Sequence, residues 1–237
     1  MIPFDSPTLW LNLSRLAIIL FTGSIAWMTY RSHLLLQQMQ PDFNLLLSLP
    51  ETIARIIMVG FCLAVAWISG LSLAALGFTV KSNVWWSIGL GLGIGLIIQL
   101  AVNLTTIQLI RHFGRGIYSP WLIRNILPHN RRQWFLVALA FLPPVIMEEL
   151  LFRSLWIGAF GPIIPLPLLI IGTSVVFGLM HQPQGTLGMI AAGTINILFC
   201  LLFIWTGELL VPLVAHYTVN LLQVIVAHFQ RDWLENY

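Results

Sequence analysis

Seven long apolar runs follow one another along this chain, at about 11–30, 53–76, 85–109, 133–157, 166–181, 187–205 and 209–229. Each is near the ~20 residues that a helix needs to cross a bilayer. Within hydrocarbon such a run satisfies its own backbone donors and acceptors by coiling into a helix. Only 8% of residues are charged, against about 25% in soluble domains. These facts predict an all-α fold: a polytopic transmembrane helical bundle of about seven spans, in one integral-membrane domain over residues 1–237.

The links between the runs are short except for two. Residues 31–52 (RSHLLLQQMQPDFNLLLSLPET) are amphipathic and fit the membrane interface. Residues 110–132 carry Arg111, Arg115, Arg124, Arg131 and Arg132. With seven spans, these two links and the C-terminal tail share one side. Arg31 and Arg231 lie on that side too, whereas Lys81 and Arg15 belong to the other. Basic residues gather on the cytoplasmic side, so the expected topology has its N-terminus outside and its C-terminus in the cytoplasm. The net charge of +3 reports topology and gives no footprint for nucleic acid. Cys62 and Cys200 lie in apolar runs and are expected to be reduced packing residues. The N-terminal residues lack a basic stretch, and the first run exceeds a signal-peptide core, which predicts a retained helix. The absence of a recognisable targeting segment is compatible with a prokaryotic plasma membrane.

Trp85 and Trp86 open the third run and fit an aromatic belt at the membrane surface. Gly89, Gly91, Gly93 and Gly95 follow, with two overlapping GxxxG spacings that allow helices to approach closely. No dinucleotide loop is present, because no strand precedes these glycines. No internal repeat is evident, which weighs against a transporter built from inverted repeats.

Against this background a few polar residues stand out. The segment FLPPVIMEELLFRS (141–154) sets Glu148, Glu149 and Arg153 inside the fourth run. An ionised side chain at the bilayer centre costs roughly 2.5–3.5 kcal/mol even on the lenient insertion scale. Glu149 and Arg153 are four apart and can pair on one helix face. Glu148 points about 100° away, without an obvious partner on its own helix. Removal from water disfavours the charged form of a carboxyl group, which suits proton exchange near neutral pH. Pro143 and Pro144 predict a kink one turn earlier. A buried ion cluster that merely fixes helix register is the competing reading.

Two more runs contribute. Phe177 and His181 lie four apart at the end of the fifth run, and His216 and Asn220 four apart in the seventh. His216 and Asn220 offer an imidazole and a carboxamide on one face, donors suited to a developing oxyanion. Interhelical hydrogen bonding is the alternative use of that pair. By helix rise, Glu148 and His216 lie roughly 12–14 Å from the outer ends of their runs, and His181 about 8 Å deeper. Gln99, Asn103 and Asn196 are expected to be packing contacts, and Glu208, after Gly207, a surface residue.

Glu148-Glu149-xxx-Arg153, Phe177-xxx-His181 and His216-xxx-Asn220, in that order on successive apolar runs, resemble the CPBP family of CAAX-protease and bacteriocin-processing-type intramembrane proteases. The resemblance covers about residues 133–229, the expected catalytic core, while helices in 1–132 are less typical. It implies an intramembrane endopeptidase acting on a peptide or membrane-protein substrate, with or without a prenyl group, in the lipid bilayer. Carried over, Glu148 and His181 would activate water, His216 and Asn220 would hold the oxyanion, and Glu149 and Arg153 would position the site. A metal-free mechanism with no cofactor is favoured. Zinc stays open, and its ligands would then be His181, His216 and Glu148. A non-proteolytic scaffold or binding protein of the same fold, or a proton-coupled carrier, are the other function classes.

Overall fold

The computed structural model is all-α and describes residues 6–36, 38, 43–81, 83–231 and 234. Residues 37 and 39–42 of the interfacial link, and 232, 233 and 235–237 of the tail, lie outside the described residues. Among the described residues there is no strand. The helices are α1 (Pro7–Leu36), α2 (Leu49–Ile68), α3 (Val84–Phe113), α4 (Trp121–Ile126), α5 (Arg131–Phe160), α6 (Leu166–Met180), α7 (Gly185–Thr206) and α8 (Leu210–Phe229). Six of them are long and apolar enough to cross a membrane, and α6 is a shorter apolar helix. At 1.5 Å per residue, the 15 residues of α6 span about 22 Å, short of the ~30 Å hydrocarbon core. Its C-terminal cap is His181.

The outward faces carry large apolar side chains such as Leu20, Ile57, Ile97 and Leu168, while Glu149, Arg153, Ser174, Asn196 and His216 are buried. Exposed Trp67, Trp85, Trp86 and Trp205 all lie at the bundle end that joins α2 to α3 and α7 to α8. This extends the expected Trp85–Trp86 belt to four tryptophans, amphipathic rings of the kind that settle at headgroup level. At the opposite end the two long links pack on each other. Asn44 donates to the Ile126 carbonyl at 2.9 Å, and Leu46, Ile123, Leu127, Val224 and Leu234 form one cluster.

Close helix approach follows small residues. A Cβ on Gly91 would lie 2.8 Å from the Val211 carbonyl oxygen, and one on Gly95 2.7 Å from that of Ala215. The two contacts advance together, so α3 and α8 run parallel. Gly89 and Gly93 face open space, so only one of the two GxxxG spacings makes this interface.

Three departures from the sequence reading concern α2, α5 and Glu208. Helix α2 stops at Ile68 and not near residue 76. Gly70 (φ 68°) and Gly77 (φ 73°) adopt left-handed backbone that a helix cannot continue through. The ordered loop that results is held by its own carbonyls: that of Leu76 accepts from Ser154 Oγ at 2.6 Å, and that of Gly77 accepts from the Leu209 N–H at 2.8 Å. In α5 the break comes at Phe141, so that Pro143 and Pro144 fall in the first turn of the next segment, where no N–H donor is required. The same helix then widens into a π-helix over Leu150–Ile157. Finally, Glu208 is 2% exposed and not at the surface. Its carboxylate accepts from the Lys81 backbone N–H and from Ser87 Oγ, both at 2.6 Å.

Candidate active site

Helix α5 presents Glu148 and Glu149 immediately before its π-helical turns, a local geometry often found at functional sites. Glu149 and Arg153 are both fully buried, and Arg153 Nη1 lies 3.2 Å from Glu149 Oε1. The expected i, i+4 pair is therefore present. The guanidinium is also sandwiched by aromatics, with its central carbon 5.8 Å from the Phe177 ring and 5.3 Å from Phe199.

Helix α8 brings in the third polar partner. His216 Nδ1 stands 2.8 Å from Glu149 Oε1, and Nε2 stands 3.5 Å from Glu148 Oε2. One imidazole thus faces both glutamates, and Glu148 finds across the bundle the partner it lacks on α5. The His216 ring lies on Phe199 at 5.2 Å. Phe199 supports both His216 and Arg153, and sequence reasoning missed it because one aromatic residue in an apolar run carries no signal.

His181 joins this group through Phe177. The Phe177 ring is 4.6 Å from His181 and 6.3 Å from His216. The Phe177 carbonyl accepts from His181 Nδ1 at 2.7 Å, which leaves Nε2 as the nitrogen with a lone pair. Asn220 lies one turn beyond His216 and is half-buried. No hydrogen bond joins Asn220 to the other five residues among those described. The structure therefore brings Glu148, Glu149, Arg153 and His216 into direct contact, and sets His181 and Asn220 at the margin.

The cluster is under-satisfied. Glu149 Oε2 and the Arg153 nitrogens make no hydrogen bond among the described residues, although buried polar atoms normally do. Two acids, one guanidinium and one imidazole sum to zero charge when a single proton resides on the Glu148–His216 couple. That proton can sit on either group without changing the buried net charge. The arrangement is suited to taking a proton from water and returning it.

Of the conditional zinc ligands, His216 lies against both carboxylates, and His181 Nδ1 is bonded to backbone with Nε2 free. Among the described residues no group of three His, Cys, Asp or Glu side chains is arranged to hold a metal ion.

Residues 130–222 match the model of the family described as Type II CAAX prenyl endopeptidase Rce1-like. This segment is similar to the Rce1-like family. It contains all six residues singled out in the sequence, and the match agrees with the CPBP resemblance read from their order. No curated protein and no solved structure matches the chain. The apolar helices describe a multi-pass membrane protein, and its segment 130–222 is similar to the CAAX prenyl endopeptidase family.

Proposed function

We propose that the protein is an intramembrane endopeptidase that hydrolyses a peptide bond with water activated by glutamate, without a metal. The observation that carries this reading is the position of His216 between Glu148 and Glu149, at 3.5 and 2.8 Å. In this mechanism Glu148 takes a proton from water while His181 Nε2 orients the same water, and the hydroxide adds to the scissile carbonyl carbon. The oxyanion accepts hydrogen bonds from His216 Nε2–H and the Asn220 carboxamide. Collapse breaks the C–N bond, and the proton held by Glu148 passes to the departing amine. Glu149 orients the protonated His216 ring through Nδ1–H, so that Nε2–H faces the oxyanion, and Arg153 balances the charge of Glu149. Glu149 and Arg153 are positioning residues, because they act through His216.

The substrate class that the Rce1-like match favours is a prenylated peptide tail, presented from the bilayer. The cytoplasmic end is taken as the one bearing the arginine-rich link.

The test is cleavage of a quenched-fluorescent, farnesylated CAAX peptide by purified protein in detergent. Glu148→Gln is expected to lower kcat by about 10²–10⁴-fold while the protein stays monodisperse and helical, and a strong chelator is expected to leave the wild-type rate intact. Hydrolysis by Glu148→Gln at the wild-type rate would overturn the reading. Loss under chelation with recovery on adding zinc would overturn its metal-free part.

A further inference from the structure

Ser154 directly follows Arg153 and is fully buried within the π-helical turns. A hydroxyl on an apolar helix commonly bonds back to the carbonyl four residues earlier, as those of Thr22, Thr173, Thr194 and Thr218 do in this protein. Ser154 instead donates out of its helix, at 2.6 Å, to the Leu76 carbonyl in the loop between α2 and α3.

The next carbonyl of that loop holds a different helix. That of Gly77 accepts from the Leu209 N–H at 2.8 Å, and Leu209 is the N-cap of α8. His216 follows Leu209 by seven residues, about two helical turns, so the two lie on one face. Two successive carbonyls therefore join the helix of Glu149 and Arg153 to the helix of His216. On the other side of the site, Tyr217 Oη donates to the Ala138 carbonyl of α5 at 2.9 Å. One tie would leave α8 free to pivot about it. Ties on both sides of the site set the angle and the register of α8 against α5.

The loop is stiff where it makes these contacts. The Leu76 and Gly77 N–H groups bond to the Ser72 and Ala74 carbonyls, both at 3.1 Å, and the Leu76 side chain is buried in the core. The left-handed backbone of Gly77 (φ 73°) lets its carbonyl face α8 while that of Leu76 faces α5. A Cβ on Gly77 would run into the Phe203 ring and lie 3.0 Å from the Leu209 nitrogen. One residue earlier, the Ala75 carbonyl oxygen is 3.0 Å from where a Cβ on Gly158 would be, one turn after Ser154 on α5. Glu208 holds the end of the loop and the start of α3, at Lys81 and Ser87, and is not part of this linkage.

We infer that Leu76 and Gly77 clamp α5 to α8, and that Ser154 is a positioning residue that acts through this clamp on His216. This rests on the endopeptidase reading and deepens it. Two residues outside the segment 130–222 set how far His216 stands from the two glutamates.

The experiment measures kcat and KM on the farnesylated, quenched-fluorescent peptide, together with hydrogen–deuterium exchange of residues 207–211 by mass spectrometry. Ser154→Ala removes the donor on α5. It is expected to lower kcat by about 10- to 100-fold, the scale of a small misplacement of reacting groups, while KM stays within about three-fold of wild type. Exchange at 207–211, on the other helix, should speed up by about ten-fold, the scale of one lost hydrogen bond. Ser154→Cys is close in size and donates weakly, so its kcat should fall between those of wild type and Ser154→Ala. It decides the matter if Ser154→Ala does not fold. Ser69→Ala is the control: Ser69 Oγ donates to the Ala66 carbonyl at 2.6 Å, a bond that closes on α2 alone, and its loss should leave kcat unchanged. Wild-type kcat in the Ser154 variants, an equal fall in Ser69→Ala, or unchanged exchange at 207–211 overturns the inference. Exchange that depends on Ser154, in a protein whose wild type hydrolyses nothing, would keep the clamp and sink the protease reading. Hydrolysis by wild type that is indifferent to Ser154 sinks the clamp alone.

Discussion

Among the described residues two glutamates are almost completely removed from solvent, and they are treated in opposite ways. Glu208, at the tryptophan-rich end, accepts short hydrogen bonds from a backbone N–H and a serine hydroxyl. Glu149, in the middle of α5, faces an arginine and a histidine, and one of its oxygens is left without a partner among the described residues. The two donors of the first arrangement do not ionise near neutral pH, and they fasten a loop. The second surrounds a carboxylate with ionisable groups and leaves polar atoms unsatisfied, which is costly and is in keeping with the proposed chemistry. Burial alone therefore does not distinguish these two acids; the donors around them do.

The strongest way to break this contrast is at Arg153. Arg153→Met removes the cation and leaves Glu149 buried beside His216. A broken buried pair costs about 3–5 kcal/mol, so the unfolding midpoint in detergent should fall sharply. Adding Glu149→Gln in the same chain should recover part of that loss, because no uncompensated charge then remains. Equal stability of wild type and Arg153→Met would show that the pair is not held as an ion pair at all.

A smaller effect is expected at the other glutamate. Glu208→Leu leaves the Lys81 N–H and the Ser87 hydroxyl facing an apolar group, and the destabilisation should be about 1–3 kcal/mol. Peptide hydrolysis per folded molecule should stay within a few-fold of wild type. A loss of hydrolysis as deep as that of Glu148→Gln, in protein that remains folded, would erase the distinction between the two acids.

These two glutamates also show how far the sequence could be read. Glu149 and Arg153 announce themselves by an i, i+4 spacing in an apolar run, and the pair is where that spacing puts it. The long apolar runs likewise fix the all-α bundle, since hydrocarbon leaves the backbone few choices. Glu208 was expected outside because it follows a glycine turn. Its burial depends on the loop after α2, which folds back only because Gly70 and Gly77 take left-handed backbone. The contact of His216 with both glutamates depends on the rotation of α8 against α5, set by packing between helices that no local pattern encodes. The π-helical turns after Glu149 left no trace in the hydropathy either.

The rotation of α8 itself can be tested with the gentlest changes. Ala215, adjacent to His216, has its carbonyl 2.7 Å from where a Cβ on Gly95 would be. Gly95→Ala therefore has to push α3 and α8 apart, a kind of overpacking that costs about 1–3 kcal/mol. Gly93 lies on the same helix with open space around it, so Gly93→Ala should be neutral or stabilising by up to about 1 kcal/mol through helix propensity. The pair separates steric placement from propensity, because both variants make the same chemical change on one helix. If α8 holds His216 in register through Gly95, cleavage of the farnesylated peptide should fall in Gly95→Ala and not in Gly93→Ala. Indistinguishable rates and midpoints for the two variants would mean that the glycine contact does not position the histidine, and that α5 alone must organise the site.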